Sequence, residues 1–357
     1  MEIALCGLPR AGKTTLWSIL TGTPVPSGAR AETRRGVARV LDQRLETVAR
    51  LFKPKKLTHA TVTFDDLAAM ERGSARADNP LLAPLRTADA LLLVLRAWDD
   101  PADPHPEGSI DPARDLSLVE TEFLLADHDI AERRLERLEG LVKKAGRDED
   151  RREQDLLRRV LEGLEREIPI RGAELTAEEQ KTLRGYGFLS GKPLIVALNV
   201  GEEHTAELSS DASGLGIPAE RRAGREFVAL SAKIEQEIAS LPEADAAAFR
   251  ADLGIAEPAL DRLIHASYRA LGLISFFTAS EDEVRAWPLR DGSTARQAAG
   301  TIHTDLERAF IRAEVIPWDK LVEAGSFAHA REKGWLRLEG KDYVVHDGEI
   351  VHIRHSA

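Results

Sequence analysis

Residues 7–15 read GLPRAGKTT and match the P-loop pattern G-x-x-x-x-G-K-T. Residues 1–6, MEIALC, form a short apolar run that predicts a buried strand before the loop. Residues 16–20, LWSIL, place apolar side chains on one helical face after it. A strand, a glycine-rich turn and a helix in this order form the context in which the pattern predicts a binding site.

The residue types in this loop suit a bound polyphosphate. Gly7 and Gly12 permit backbone conformations closed to other residues, so that successive N–H groups can point at one anion. The helix that follows adds its positive N-terminal end. Lys13 can reach the β- and γ-phosphates, and the Thr14 hydroxyl can ligate Mg²⁺. The alternative is a glycine turn that binds nothing; the complete pattern in this context favours a nucleoside phosphate site.

The composition is ordinary for a soluble globular protein of two or three domains. The chain has 357 residues, of which 43% are hydrophobic and 31% charged. Its net charge of −11 disfavours a broad nucleic-acid or membrane surface, although a local basic patch remains open. No apolar run reaches membrane-spanning length and no signal peptide is evident, so we expect a cytoplasmic protein. The single cysteine, Cys6, is predicted to be a core residue without a disulfide-linked partner.

Two further segments carry candidate metal ligands. The loop after the first helix corresponds to the first switch of a P-loop NTPase, in which a threonine binds Mg²⁺. Thr33 is the better candidate for this ligand and Thr23 the second. Asp65 and Asp66 end a predicted strand, where a Walker-B aspartate would hold the metal. A basic cluster in the same region faces phosphate or forms a solvated surface, and both readings stay open: Arg30, Arg34 and Arg35.

Continuous apolar runs predict the interior strands of a parallel sheet, at 90–95, 194–198 and 227–230. With helices between them, these strands indicate a doubly wound α/β sheet whose ligand lies at the carboxyl ends. Two of those ends carry polar sequences, NVGE at 199–202 and SAK at 231–233.

Between the strand segments, residues 126–168 are mostly charged, with apolar residues at helical spacing. A polar stretch at 146–150 interrupts the pattern. We predict two amphipathic helices in an antiparallel hairpin with coiled-coil-like packing. The hairpin either supports the fold or docks a partner.

The tail has an α+β pattern. Residues 273–278 and 283–289 predict two strands, 295–310 a helix, and 341–345 and 350–353 two short strands. Its histidines are scattered rather than grouped as metal ligands. We interpret the tail as a binding module.

These segments together resemble the YchF family, also called Obg-like ATPases, over nearly the whole chain. The most specific matches lie in the tail: EVRAW at 283–287, QAAGTIHTD at 297–305, FIRAEV at 310–315 and LEGKDY at 338–343. They resemble the family's C-terminal TGS domain, a ubiquitin-like β-grasp module.

The resemblance implies a fold of three parts. A doubly wound α/β P-loop NTPase domain would comprise residues 1–125 and 190–272. An antiparallel helical coiled-coil hairpin, 126–189, would be inserted into it, and the α+β TGS domain would follow at 273–357.

The resemblance also implies site residues. Residues 64–68, FDDLA, match the family's F-V-D-I-A, which selects Asp66 over Asp65 as the Walker-B acid. Met70 stands where Ras-like enzymes carry the water-positioning glutamine, and the family has an apolar residue there. His105 aligns with a mobile-loop histidine proposed to orient the water, the alternative being a solvated side chain. The predicted metal ligands are Thr14, Asp66 and Thr33; the predicted catalytic residues are His105, Arg10 and Lys13; the predicted nucleotide-binding residues are Arg10, Ala11, Gly12, Lys13, Thr14, Thr15, Asn199, Val200, Glu202, Ser231 and Ala232.

Residues 199–202 bear on the choice of nucleotide, because NVGE replaces the guanine-reading N-K-x-D. The aspartate of that motif accepts hydrogen bonds from guanine N1–H and N2–H₂, whereas adenine has an acceptor at N1. Val200 also removes the lysine that packs on the base. The resemblance favours ATP over GTP, but Glu202 keeps an acid here and leaves both open on physical grounds. The resemblance also implies the ribosome as partner, either the 70S particle or the large subunit. We expect the protein to be a monomer.

Three features depart from the family pattern. Arg10 stands where the family usually has Asn, at a position associated with potassium use, and could supply a positive charge in cis as an arginine finger does. Ala69 replaces the glycine of D-x-x-G, and its Cβ could keep the N–H from the γ-phosphate. The first switch is several residues shorter. We therefore expect slow ATP hydrolysis, with a GTPase and a nucleotide-gated binding protein of negligible turnover as alternatives.

Overall fold

The computed structural model describes residues 1–25, 33–70, 72–73, 78–144, 146–202, 216–222, 224–255 and 257–356. The chain packs into two compact units. One comprises Met1–Val37 with Thr63–Ala270, and the other Ala38–Val62 with Leu271–Ala357.

Strands and helices alternate through most of the first unit, whereas strands dominate the second. The strands are β1 Glu2–Cys6, β2 Arg34–Val40, β3 Lys56–Thr58, β4 Ala60–Asp66, β5 Ala90–Ala97, β6 Leu194–Val200, β7 Glu226–Leu230, β8 Leu273–Ala279, β9 Glu283–Arg290, β10 Phe310–Pro317, β11 Arg337–Glu339 and β12 Glu349–His355. The helices are α1 Lys13–Thr21, α2 Gln43–Phe52, α3 Ala83–Thr87, α4 Pro112–Lys144, α5 Asp148–Glu165, α6 Ala177–Arg184, α7 Ala219–Arg222, α8 Ala232–Ser240, α9 Glu243–Asp252, α10 Ala259–Ala270, α11 Ala295–Ile302, α12 Thr304–Arg308, α13 Trp318–Ala324 and α14 Phe327–Glu332, with 3₁₀ turns at Pro80–Leu82 and Ile170–Gly172. None of the helices in the described ranges combines the length and the apolar character needed to cross a membrane.

The first sheet has the strand order β2-β4-β1-β5-β6-β7. β1 pairs in parallel with β4 and β5, and the parallel pairing continues through β6 to β7. Every residue of β5 and of β6 is buried, as expected for interior parallel strands covered on both faces. The predicted doubly wound sheet is confirmed. Its parallel strands bring the ends of β1, β4 and β6 to one edge.

The predicted helical hairpin is formed by α4 and α5, and α4 serves two cores. Its first part packs into the core of the sheet through Leu116, Val119, Phe123 and Ala126. Its later residues pack with α5 in a separate cluster that includes Ala131, Leu138, Leu157 and Val160. α4 therefore begins at Pro112, earlier than the sequence pattern indicated, because the sheet core already buries its first turns.

The second unit contains a sheet in the order β11-β10-β12-β8-β9-β3. β8 and β9 form an antiparallel hairpin, β12 lies parallel to β8, and β10 is antiparallel to β12. α11 covers a core that includes Phe276, Ala298 and Val315. This is the arrangement of a β-grasp module, in agreement with the predicted fold.

Two details of the tail differ from the sequence pattern. The helix predicted over 295–310 divides at His303, whose Nδ1 accepts the Asp305 N–H at 3.1 Å and caps α12. Residues 341–345 form an isolated bridge from Thr294 to Val344 rather than a strand, and the edge strand is β11. At both places, hydrogen bonds between nearby residues set the backbone conformation, and the spacing of the apolar residues does not.

Residues 38–62 pack with the tail. β3 pairs in parallel with β9, α2 packs on α13, and the Phe52 and Phe327 rings are 5.4 Å apart. Arg44 of α2 contacts Asp347 through Nη1 at 2.6 Å. The three-part division of the chain stays a prediction; nothing in its local patterns indicated that this segment would join the C-terminal unit.

Candidate functional site

The P-loop backbone needs glycine at two close approaches. Gly7 follows β1 with φ 140°, and a Cβ there would lie 2.5 Å from the carbonyl oxygen of Val94. Gly12 precedes α1 with φ 92°, and a Cβ there would lie 2.4 Å from Asn199 Nδ2. Arg10 also has a positive φ, 62°, which is uncommon for a residue with a side chain.

Lys13 begins α1, and its ammonium is buried beneath the loop. Nζ donates to the carbonyl oxygens of Gly7 at 3.2 Å and Leu8 at 2.9 Å. Burial lowers the pKa of Lys13 to about 8, although the nearby charge of Asp66 opposes the shift. A bound phosphate would place an anion beside this amine and would so favour the charged form of Lys13. Thr15, the other predicted α1 residue, is half-buried.

Thr14 and Asp66 meet at the predicted metal position. Thr14 Oγ1 donates to Asp66 Oδ2 at 2.8 Å. Asp66 is 2% exposed, and its Oδ1 has no hydrogen-bond partner among the described residues. A buried carboxylate oxygen without a partner is costly unless something binds it. Mg²⁺ prefers oxygen ligands and is commonly held by one or two protein groups with phosphate and water, so these residues fit the ion.

The two adjacent aspartates have different partners. Arg35 donates to both carboxylate oxygens of Asp65, each at 2.9 Å. Arg34 Nη1 donates to Asp66 Oδ2 at 3.1 Å, on the oxygen that Thr14 also uses. Asp65 is thus occupied by a bidentate pair, whereas Asp66 retains Oδ1, which supports the selection of Asp66. The basic cluster contacts these carboxylates through Arg34 and Arg35; Arg30 lies outside the described residues.

Asn199, at the end of β6, connects two loops of the site. Its Nδ2 donates to the Ala11 carbonyl at 3.1 Å, and its Oδ1 accepts the Ala232 N–H at 2.9 Å. Asn199 is 5% exposed and Val200 is 2% exposed. The structure therefore brings these predicted residues together, with the Asn199 amide positioning the P-loop and the start of α8 rather than standing free to contact a base.

Glu202 and Lys233 form an exposed pair beside this connection. Lys233 Nζ lies 2.8 Å from Glu202 Oε2, and this hydrogen bond raises the pKa of Lys233. Ser231 caps α8, with Oγ accepting the Ile234 N–H at 3.5 Å. Lys233 was not among the predicted site residues, although it follows two that were. Its charge offsets the acid that left the choice of nucleotide open.

Arg10 contacts the loop that carries His105. Its Nη1 lies 2.6 Å from Asp103 Oδ1 and 3.5 Å from the Pro104 carbonyl oxygen. Arg96 secures the same loop by donating through Nη2 to the Asp103 carbonyl at 2.6 Å. The predicted role of Arg10 as a cation on the phosphates thus requires the side chain to leave Asp103.

His105 is held in place rather than free on a loop. It is 7% exposed; Nε2 lies 2.9 Å from Asp115 Oδ2, and Nδ1 accepts the Glu107 N–H at 3.1 Å. Arg114 donates to the other carboxylate oxygen of Asp115. The family resemblance implies a mobile loop at His105, whereas the structure holds the ring by contacts at both nitrogens. Because both ring nitrogens are engaged, the imidazole cannot orient a water in this conformation.

The remaining predicted positions lie around the loop. Met70 is 5% exposed, packs in the sheet core and donates its N–H to the Gly7 carbonyl at 3.1 Å. Thr33 is exposed just before β2, and Thr23 Oγ1 donates within its own turn, to the Thr21 carbonyl at 3.5 Å. Residues 26–32 of the predicted first switch lie outside the described residues.

Comparison with known proteins identifies the family of the chain. A family model for the YchF GTPase C-terminal region, described as "Protein of unknown function (DUF933)", matches residues 273–356. The ribosome-binding ATPase YchF of Bacillus subtilis (strain 168) is 38% identical over 363 residues, covering 99% of both chains. The chain belongs to the YchF family. The YchF protein of Pasteurella multocida (strain Pm70), also named a ribosome-binding ATPase, is 38% identical over 361 residues, covering 99% of this chain and 98% of that one.

A solved YchF structure has the same fold. The Schizosaccharomyces pombe YchF GTPase superposes with a TM-score of 0.87 at 29% identity, covering 99% of this chain and 97% of that one. The predicted YchF resemblance and the predicted fold class are therefore confirmed.

Two predicted site residues have partners that no sequence pattern indicated. Asp103 holds Arg10, and Asp115 holds His105. Asp115 lies in the first turn of α4, where acidic residues are ordinary, so its sequence position carries no separate signal. Asp103 lies in a proline-rich loop with several acids and is equally inconspicuous.

Proposed function

We propose that this protein is a Mg²⁺-dependent switch that binds ATP, hydrolyses it slowly and acts on the ribosome in the cytoplasm. The proposal rests on a buried amine and a buried carboxylate, one of whose oxygens accepts no hydrogen bond from the described residues. Lys13 has a lowered pKa, and Asp66 Oδ1 lacks a partner among the described residues. A polyphosphate with its metal would satisfy both groups at once.

In this proposal the P-loop amides and Lys13 bind the β- and γ-phosphates. Mg²⁺, held by Thr14 and Asp66 with Thr33 as the proposed switch ligand, would neutralise charge on the phosphates. Met70 cannot position water, so His105 takes that role after leaving Asp115. The cost of breaking this buried pair accounts for slow turnover.

We propose ATP rather than GTP as the nucleotide. The bacterial relatives above are named ATPases, whereas the yeast YchF protein is named a GTPase. Val200 cannot replace the lysine that packs on guanine, and Lys233 offsets the charge of Glu202. Titration of the purified protein with Mg–ATP and Mg–GTP tests this choice. GTP binding at least about tenfold tighter than ATP binding would overturn it.

The ribosome is the proposed partner because both curated relatives are named ribosome-binding. We propose the 70S particle or its large subunit, with binding favoured in one nucleotide state. Cosedimentation with 70S particles and separated subunits, in ATP and in ADP, tests this. Equal absence from both pellets at physiological salt would reject a ribosomal partner.

A second candidate is a nucleotide-gated binding protein with negligible turnover. The engaged ring of His105 favours it, because no other described residue takes the place of the water-positioning glutamine. Single-turnover hydrolysis, with and without ribosomes, separates the two candidates. Phosphate release well above the Lys13→Ala background rejects the inactive form.

A further inference from the structure

Arg96, near the end of β5, is a buried arginine for which the proposed mechanism has no role. Its side chain is 1% exposed. Nε donates to the Trp98 carbonyl at 3.1 Å, and Nη2 donates to the Asp103 carbonyl at 2.6 Å. The guanidinium carbon also lies 3.7 Å from the centre of the Trp98 ring. Together these contacts fix the position of the guanidinium group.

The third nitrogen of this guanidinium group has no hydrogen bond. Nη1 is buried and donates to no described residue. Asp103 Oδ2 lies 3.8 Å from it, which is beyond hydrogen-bond distance. A buried donor without a partner costs free energy, and the cost is larger for a charged group. A shift of the Asp103 carboxylate by about 1 Å would remove this cost.

The Asp103 carboxylate lies between two arginines that differ in exposure. Arg10 Nη1 lies 2.6 Å from Asp103 Oδ1, and the Arg10 side chain is 54% exposed. Arg10 can therefore turn towards a bound nucleotide, whereas Arg96 is enclosed. Because Arg96 also holds the Asp103 backbone carbonyl, the carboxylate can change partner by rotation of its own side chain.

We propose that Arg96 is a positioning residue for ATP hydrolysis, which takes up the Asp103 carboxylate when Arg10 turns to the phosphates. This role rests on the proposed ATPase function and on the action of Arg10 in cis. The exchange keeps Asp103 paired and gives Arg96 Nη1 its hydrogen bond, so it offsets the loss of the Arg10 contact. A purely structural role accounts for the contacts of Nε and Nη2 but not for a carboxylate facing a free Nη1.

A nucleotide-free crystal structure of the Arg10→Ala variant, solved beside the parent, tests the exchange without hydrolysis. Since Asp103 then lacks its exposed partner, we expect Oδ2 to lie about 2.9 Å from Arg96 Nη1 instead of 3.8 Å. Arg72→Ala removes a largely exposed arginine 3.9 Å from Glu107 on the same loop and should keep the longer distance. An Asp103 carboxylate that turns to solvent in Arg10→Ala would overturn the proposal and leave the proposed ATPase activity untouched.

A double-mutant cycle on kcat tests the consequence for turnover. Arg96→Lys keeps the charge but loses the planar fork that reaches both carbonyls and the carboxylate. We expect it to lower kcat about tenfold in the parent but less than about twofold in Asp103→Asn, which has no carboxylate to transfer. Arg86→Lys, at a largely buried arginine paired with Asp127, is the control and should change kcat little in either background.

Equal losses of kcat from Arg96→Lys in the two backgrounds would show that Arg96 is only structural and would overturn the proposal. Hydrolysis by the parent would then still support the ATPase. A parent that neither binds nor hydrolyses ATP would reject both. If Arg96→Lys does not fold, the Arg10→Ala structure decides, because that variant leaves Arg96 intact.

Discussion

At the residue scale, the burial of Lys13 would couple the proposed nucleotide binding to proton uptake. Its pKa is lowered by burial from 10.5 to about 8 in the nucleotide-free protein, and phosphate oxygens would raise it again. The free protein would therefore have lost most of this proton at pH 9, whereas a nucleotide complex would keep it. Burying the charged Lys13 also lowers the stability of the folded protein. This loss of stability is complete below pH 8 and disappears as the pH rises from 8 to 10.5.

We therefore predict that ATP binding takes up roughly nine-tenths of a proton at pH 9 and almost none through Lys13 at pH 6.5. Calorimetry in buffers with different ionisation enthalpies measures this uptake. The measurement at pH 6.5 is the control, because Lys13 is then charged in both states. Equal uptake at the two pH values would contradict the burial of this amine.

Gly12 and Gly22 provide a matched pair of glycines with positive φ at the two ends of α1. A Cβ on Gly12 meets Asn199 Nδ2, whereas nothing lies within 4 Å of a Cβ on Gly22. We predict that Gly12→Ala weakens ATP binding by roughly a hundredfold and costs about 1–3 kcal/mol of stability. Gly22→Ala should cost only about 1 kcal/mol and leave ATP affinity unchanged. Fluorescent-nucleotide titration and urea unfolding measure both effects, and similar affinities for the two variants would refute the prediction.

Arg10 is the residue proposed to supply a positive charge to the phosphates during hydrolysis. If it acts in cis, Arg10→Ala should lower kcat by about a hundredfold or more with little change in ATP affinity, and turnover should not depend on K⁺. Asp103→Asn should raise kcat, because it removes the carboxylate that holds Arg10 away. Arg72→Gln, a largely exposed arginine 3.9 Å from Glu107, is the control. Potassium-stimulated turnover, or a normal rate in Arg10→Ala, would end the idea.

At the scale of elements, α4 connects the loop that carries His105 to the hairpin. It carries Asp115, the partner of His105, and farther along Asp127, which is fully buried. Asp127 accepts the N–H groups of Leu189 at 2.8 Å and Ser190 at 2.7 Å. One continuous helix therefore carries both the contact with His105 and the contacts with Leu189 and Ser190.

We predict that Asp127→Asn destabilises the protein by roughly 3 kcal/mol, because it leaves a buried N–H and the Arg86 guanidinium poorly matched. Hydrogen exchange should rise first around 170–190, with ATP affinity preserved. Arg133→Gln removes an exposed i,i+4 pair with Asp129 and should cost only about 0.3–0.5 kcal/mol. Uniform exchange across the first sheet would show that Asp127 does not act locally.

At the scale of the whole molecule, the C-terminal unit depends on a segment from the N-terminal half. Leu45 and Val48 of α2 are fully buried, and α2 packs on β8, β9 and α13. Removing the tail would expose these side chains, each of which contributes about 1.5–3 kcal/mol by burial.

We predict that a fragment of residues 1–272 unfolds on the order of 10 °C below the full chain and binds an apolar dye. Thermal scans with and without 8-anilinonaphthalene sulfonate measure this. Full-length Lys56→Gln, which only removes an exposed pair with Glu283, should unfold at the normal temperature. A fragment as stable as the full chain would show that residues 38–62 fold without the tail.

The parts of the fold that could be predicted are those whose residue pattern lies within a short stretch of chain. The apolar runs of β5 and β6 indicated interior strands because burial on both faces leaves no polar positions. The two helices of the hairpin followed from their period. Thr14 and Asp66, which the structure brings into contact, could be proposed as metal ligands because the P-loop and the strand end each have a local pattern. Which acid pairs with Arg10 or His105 could not be predicted, since many acids surround each one in sequence.

By itself the sequence determined the P-loop turn, the doubly wound sheet, the inserted hairpin and the family of the chain, because each depends on residue types at close spacing. Only the tertiary structure decided that His105 lies buried against Asp115, that Arg10 reaches Asp103, and that residues 38–62 join the tail. The physical reason is that such contacts join segments whose separation along the chain leaves no periodic trace. They are selected by packing and charge only once the chain has folded.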